Sequence, residues 1–205
     1  EKERTGAMSR QIEIEFKNLL TKEEFSRLEK FLNIHKHDFY SQENHYFDTN
    51  DFSLKERGCA LRIRKKNGHF ELTLKQPASV GLLETNQLLT EKEANLMLHK
   101  GKIIEGIVAD ELNKMQIPLE KLQFFGSLKT ERAETKYKDG VLVLDKSTYL
   151  NKEDFEIEYE VNDEAKGKEV FKQLLGKLNI PMRKTKNKIQ RFYDAKFAEN
   201  NTGEK

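Results

Sequence analysis

The chain of 205 residues has room for one large domain or two small ones, and 36 % of it is hydrophobic against 35 % charged. Its apolar residues recur in periodic runs that a disordered chain lacks, and a net charge of +2 lacks the basic surplus of a general nucleic-acid binder. The single cysteine, Cys59, excludes an internal disulfide framework and a cysteine-rich zinc site. No apolar run approaches the roughly 20 residues that cross a bilayer, so a soluble, reducing, cytoplasmic setting is expected.

Residues 1–7, ahead of Met8, read as an appended remnant or a disordered arm, and 198–205 as a frayed tail. Between them, residues 8–197 are expected to form a single domain, because no Ser- or Gly-rich linker divides them. Residues 11–16 alternate Ile12, Ile14 and Phe16 with Glu13 and Glu15, a strand pattern. Thr21 and Glu24 make a capping box ahead of the apolar stripe Phe25, Leu28, Phe31 and Leu32, which predicts a helix. A short strand is expected over 43–48. A hairpin follows, with strands 60–65 and 69–76 around Asn67-Gly68, the dipeptide favoured in tight turns.

Residues 81–89 read as another strand. Thr90 and Glu93 repeat the capping box before a helix through Leu98, and a second helix is expected over 103–115. The second half predicts strands at 123–132, 134–138, 141–144 and 155–161, with Asp139-Gly140 as the turn between the middle two. Helical spacing returns over 163–178 at Val170, Phe171, Leu174, Leu175 and Leu178, and a basic segment occupies 183–191.

Residues two apart in a strand share a face. Glu13, Glu15 and Lys17 therefore stand together, as do Arg62 with Arg64, Glu71 with Thr73 and Lys75, and Glu156 with Glu158 and Glu160. An antiparallel sheet with helices on one side and water on the other produces this alternation. Two details pull against that reading, and if the sheet curls into a barrel these ionic faces converge on its interior. The acids concentrate on the first strand and a late one, while Arg and Lys occupy those between. Glutamates at alternate positions also repel along one face, a cost that a divalent cation removes. A polyphosphate with Mg²⁺ or Mn²⁺ satisfies such an interior, the carboxylates taking the cation and the Arg and Lys side chains the phosphate oxygens.

Glu13-Ile14-Glu15-Phe16-Lys17 resembles the Glu-x-Glu-x-Lys opening of the CYTH, or triphosphate tunnel, family. His45-Tyr46-Phe47-Asp48-Thr49, Leu61-Arg62-Ile63-Arg64, Leu72-Thr73-Leu74-Lys75, Glu84, Arg132, Leu144-Asp145, Glu156-Ile157-Glu158 and Lys184-Thr185-Lys186 follow in the family's order. The resemblance implies an α+β fold, an eight-stranded antiparallel β-barrel with helices packed outside. It implies that Glu13, Glu15, Glu156 and Glu158 coordinate Mg²⁺ or Mn²⁺, with Asp145 near the metal-bound water. It places Lys17, Arg62, Arg64, Lys75, Glu84, Arg132, Lys184 and Lys186 along the triphosphate path, and Lys75 with Tyr46 as the pair that activates water. Glu160 is an acid beyond the family's pair.

The activity expected is metal-dependent hydrolysis of inorganic triphosphate or a small organic triphosphate. A class IV-type adenylate cyclase and a non-catalytic triphosphate or nucleotide sensor are the alternatives. The expected partner is a small-molecule triphosphate, with no nucleic acid polymer and no membrane, and a homodimer is compatible with the sequence.

Overall fold

The computed structural model describes residues 8–202, with side chains through 198. Its strands are β1 (Met8–Leu20), β2 (Tyr40–Thr49), β3 (Ala60–Lys66), β4 (His69–Pro77), β5 (Leu82–Leu89), β6 (Leu122–Tyr137), β7 (Gly140–Tyr149) and β8 (Lys152–Val161). They close into a barrel in the order β1-β5-β4-β3-β2-β6-β7-β8. The helices are α1 (Lys22–Leu32), α2 (Ser53–Glu56), α3 (Glu91–Lys100), α4 (Ile107–Lys114), α5 (Glu164–Lys177) and α6 (Lys188–Thr202). The expected remnant or arm at 1–7 and the last residues of the expected tail, 203–205, lie outside the described residues. No described helix is long and apolar enough to cross a membrane.

The contacts divide the chain into two compact units. The first holds the start of β1 through Ile12 together with Gln42–Ser127. Here β2, β3, β4 and β5 pair as antiparallel neighbours. Their odd–even alternation sends Leu61, Ile63, Leu72 and Leu74 into a core closed by Met97 of α3 and by Val108 and Leu112 of α4. The β3–β4 hairpin turns at Asn67-Gly68, both at positive φ (50° and 77°), as a two-residue turn between the Lys66–His69 pair requires. The capping box of Thr90 and Glu93 starts α3 as its sequence predicts. The second helix begins later than its periodicity suggests, at Ile107, after Gly106 at φ 146°.

The second unit holds Glu13–Ser41 and the residues from Leu128 on. Within it β8 lies between β1 and β7, and β6 pairs with β7. Leu142, Leu144, Ile157 and Tyr159 pack under α1 and α5 with Phe25, Leu28 and Phe171. Gly167 lets α5 approach closely, because a Cβ there would meet Val161 at 2.6 Å. The two strands expected at 123–132 and 134–138 are one, β6: Ala133 sits fully buried in this core and the pairing with β7 runs unbroken from Lys129 to Tyr137. The turn after it is Lys138-Asp139, not Asp139-Gly140, since Tyr137 pairs with Gly140. Gly140 instead starts β7 at a point where a Cβ would meet the Glu160 carbonyl oxygen at 2.5 Å.

Candidate functional site: two ionic strand faces

In the first unit the face turned away from the apolar core carries the polar residues in cross-strand rows. Tyr46 lies opposite Arg62, Arg62 opposite Thr73, and Thr73 opposite Asn86. The neighbouring row pairs Lys75 with Glu84, and the next sets Asn44 opposite Arg64 and Arg64 opposite Glu71. Arg64 Nε donates to Asn44 Oδ1 at 3.0 Å. Lys75 Nζ lies 2.7 Å from Glu84 Oε1, and Gln11 Nε2 donates to the other oxygen at 3.2 Å. Burial alone would raise the Glu84 carboxyl, but the charges of Lys75 and Arg62 prevail and hold it at about 2. An ammonium paired to a carboxylate in this way is suited to electrostatic contact rather than to taking a proton. Tyr46 is buried beside Arg62, one row removed from Lys75.

The corresponding face of the second unit is more strongly charged. Lys17 lies opposite Glu158 and Glu15 opposite Glu160, while Asp145 stands between Arg132 and Glu156. Asp145, Glu156 and Glu158 are 0 %, 1 % and 5 % exposed. One carboxylate oxygen from each falls within 4.8 Å of the others, a group able to hold a metal ion. All three donors are hard oxygens and neither His nor Cys joins them, the donor set that suits Mg²⁺ or Mn²⁺. Glu13 and Glu15 stand outside that trio, and Glu15 is paired with Lys17.

Buried carboxylates need cations, and this unit supplies three of its own. Arg132 grips Asp145 through two bonds, Nε to Oδ1 at 2.8 Å and Nη2 to Oδ2 at 2.6 Å, and also donates to Glu158 at 3.0 Å. Lys188, from the first turn of α6, places its ammonium 2.8 Å from Asp145 and 2.5 Å from Glu158, in contact with Glu156 as well. Arg191, one turn on, donates to Glu156 at 2.5 Å and to Asp154 at 3.0 Å.

Burial pushes all three carboxyls up. The charges of Arg132 and Lys188 reverse that for Asp145, and those of Lys188 and Arg132 hold Glu158 well below the usual carboxylate range. Glu156 remains raised, because burial and the Glu158 charge prevail over Lys188. Glu160 is pushed up to about 7 by burial and by the nearby Glu13 carboxylate.

What places Lys188 is a chain of contacts to the end of β1. Asn18 donates to the Pro181 carbonyl at 3.0 Å and accepts from the Arg183 amide at 2.6 Å, and Thr185 Oγ1 accepts from the Leu19 amide at 2.9 Å. Arg183 then forks onto Glu24 at 2.7 and 2.9 Å, the same carboxylate that closes the capping box of α1. Lys184 and Lys186 are exposed, and Lys186 pairs with Asp194 at 2.7 Å. The basic residues of this segment that reach the acids are therefore Lys188 and Arg191, two and five positions beyond Lys186. Their signal was available: Ile189, Phe192 and Tyr193 repeat at helical spacing and are buried, which marks α6 and sets Lys188 at its start.

A family model described as CYTH domain matches residues 11–193. The chain is 53 % identical over 189 residues to a protein of Bacillus subtilis (strain 168) named "Putative triphosphatase YjbK", covering 92 % of this chain and 98 % of that one. Among solved structures, a "putative adenylate cyclase" from Bacillus halodurans aligns with a TM-score of 0.87 and 47 % identity, over 90 % of this chain and 98 % of that one. A Hippeastrum protein described as a "putative adenylyl cyclase" with a dominant triphosphatase activity aligns at 0.74 and 22 % identity, over 89 % and 96 %, a likeness of fold.

Proposed function

This chain belongs to the CYTH domain family, and from that premise we propose that it is a divalent-metal-dependent phosphohydrolase acting on inorganic triphosphate or a small organic triphosphate. The observation that carries the reading is the buried Asp145–Glu156–Glu158 trio with its oxygen-only donors. The near full-length identity to a protein named as a triphosphatase supports the same reaction.

In this reading Asp145, Glu156 and Glu158, with Glu13 and Glu15, hold Mg²⁺ or Mn²⁺. The bound ion supplies charge neutralisation at phosphoryl oxygens and a more acidic water. Arg62, Arg64 and Lys75 bind phosphate oxygens, the guanidinium forks fixing orientation and the ammonium acting as a point charge. Glu84 fixes the Lys75 ammonium at 2.7 Å, so that its direction is set before ligand arrives. Lys17 and Arg132 complete the cationic set, and Arg132 additionally holds Asp145 in one rotamer through its two bonds. Lys184 and Lys186 guide the anion from the surface. Tyr46, buried against Arg62, orients that guanidinium or the attacking water. The single thiol, Cys59, is buried, and that burial pushes it up.

The experiment gives the purified protein inorganic triphosphate, thiamine triphosphate and ATP with Mg²⁺ or Mn²⁺, and follows phosphate, pyrophosphate and cyclic AMP. Phosphate release that needs metal, and that Glu13→Gln with Glu15→Gln abolishes, is the expected result. The Bacillus halodurans relative's name makes adenylate cyclisation the second reading. Cyclic AMP with pyrophosphate as the products would replace the hydrolase with the cyclase.

A further inference from the structure

Thr73 and Asn86 are neutral residues on the face that carries Arg62, Arg64, Lys75 and Glu84. Thr73 is 0 % exposed and Asn86 8 %. The neighbours of Thr73 along β4, Leu72 and Leu74, point into the apolar core, so its own side chain points the other way, onto the face of Arg62 and Lys75. Asn86 is its partner across β5 and Arg62 its partner across β3. Among the described residues the Thr73 hydroxyl has no hydrogen-bond partner, and neither has Asn86 Oδ1. The remaining Asn86 contact, Nδ2 to Ser9 Oγ, is long at 3.5 Å.

Buried hydroxyls and amides are nearly always bonded, and leaving one without a partner costs roughly as much as a hydrogen bond is worth. A valine would fill the space of Thr73 at no such cost. Two such groups side by side, directly across from an arginine, are the signature of partners that arrive with a ligand. Their chemistry selects the ligand: the Thr73 hydroxyl donates one hydrogen bond, and the Asn86 amide, turned over, presents Nδ2 where Oδ1 stands while Oδ1 accepts from the Ser9 hydroxyl, so both offer donors and neither adds charge to a wall already carrying Arg62 and Lys75. Non-bridging phosphoryl oxygens accept from such donors.

We propose that Thr73 and Asn86 form a neutral hydrogen-bonding subsite that receives a phosphoryl oxygen of the bound triphosphate beside Arg62; the proposal rests on the triphosphate reading above. Arg62 supplies attraction and the two neutral donors fix the angle of the phosphoryl group. Both are binding residues, and their removal should act on affinity for the anion while leaving the fold intact.

The test is calorimetric titration of inorganic triphosphate into the protein in chelator, where turnover is excluded, with thermal unfolding of each variant without ligand. Thr73→Val should bind about tenfold more weakly while unfolding at or above the wild-type temperature, because an unbonded buried hydroxyl is gone. Thr73→Ser, which keeps the hydroxyl, should retain most of the affinity. Asn86→Asp, a near-isostere that sets a negative charge against the anion, should lose more than Thr73→Val. Wild-type affinity in both Thr73→Val and Asn86→Asp would overturn the subsite and leave the triphosphatase reading standing. A Thr73→Val protein that melts well below wild type would overturn it too, by showing that the hydroxyl has a partner in the free protein. Wild-type protein that neither binds triphosphate here nor hydrolyses it with metal would overturn both.

Discussion

Replacing Lys188 by glutamine removes the ammonium that touches Asp145, Glu156 and Glu158 and leaves three buried carboxylates with Arg132 and Arg191 alone. Breaking a buried ion pair from one side costs about 3–5 kcal/mol, because the abandoned charge stays desolvated. In a domain of this size each kcal/mol lowers the melting temperature by about 2–4 °C, so a fall of roughly 10 °C is expected in chelator at neutral pH. Asp145 and Glu158 have lowered carboxyl values in the folded protein. The stability they contribute is present above the ordinary carboxylate range and lost as pH falls through their folded values. The gap between variant and wild type should therefore be widest near neutrality and close in acid. Mg²⁺ or Mn²⁺ should raise the melting temperature of Lys188→Gln more than that of wild type, since the trio no longer holds an internal cation. Thermal and urea unfolding, with chelator and then with metal, measure both effects. A variant melting within about 1 °C of wild type in chelator would refute the reasoning, as would an equal response of both proteins to metal.

Three further outcomes follow from other contacts. Lys75→Met should destabilise by about 1–3 kcal/mol, because Glu84 keeps a buried charge without its ammonium; adding Glu84→Gln should recover much of the loss, and a double-mutant cycle on urea midpoints checks it. The Glu160 carboxyl is raised to about 7, so its neutral form stabilises the fold at low pH, and that contribution fades as pH rises from the ordinary glutamate value through 7; in chelator, Glu160→Gln should lack this decline and should equal or exceed wild type at pH 8 by urea midpoint. Gly140→Ala should cost about 1–3 kcal/mol, because the new methyl would meet a backbone oxygen at 2.5 Å and the Tyr159 ring at 2.7 Å. Gly68→Ala is its control in the same thermal assay, with nothing within 4 Å but a φ of +77°, and should lose less.

Much of this fold was legible because its causes are local. The boxes at Thr21–Glu24 and Thr90–Glu93 cap the helices they predict, since a cap is made by residues three apart. The Asn67-Gly68 turn and the strand alternation follow equally from neighbours. Where the expectation slipped, a distant partner decided. Gly140 looked like a turn residue and is instead a strand residue crowded by Glu160 and Tyr159. Residues 123–132 and 134–138 looked like two strands, and Ala133 joins them under a core its sequence neighbours do not reveal.

The same division runs through the candidate site. The sequence by itself determined which side chains share a face, because a period of two is a property of the extended backbone: Glu13 with Glu15 and Lys17, Arg62 with Arg64, Glu156 with Glu158. It also determined the family resemblance those faces carry. The resemblance set Asp145 near a metal held by Glu156 and Glu158, and strand register is what brings β7 to β8 so that the three form one trio. Only the tertiary structure decided that Lys188, not Lys184 or Lys186, enters that trio. The choice is made by Asn18, Leu19 and Glu24 holding residues 181–185 from more than a hundred and fifty positions away, and such contacts leave no periodic trace in the chain that makes them.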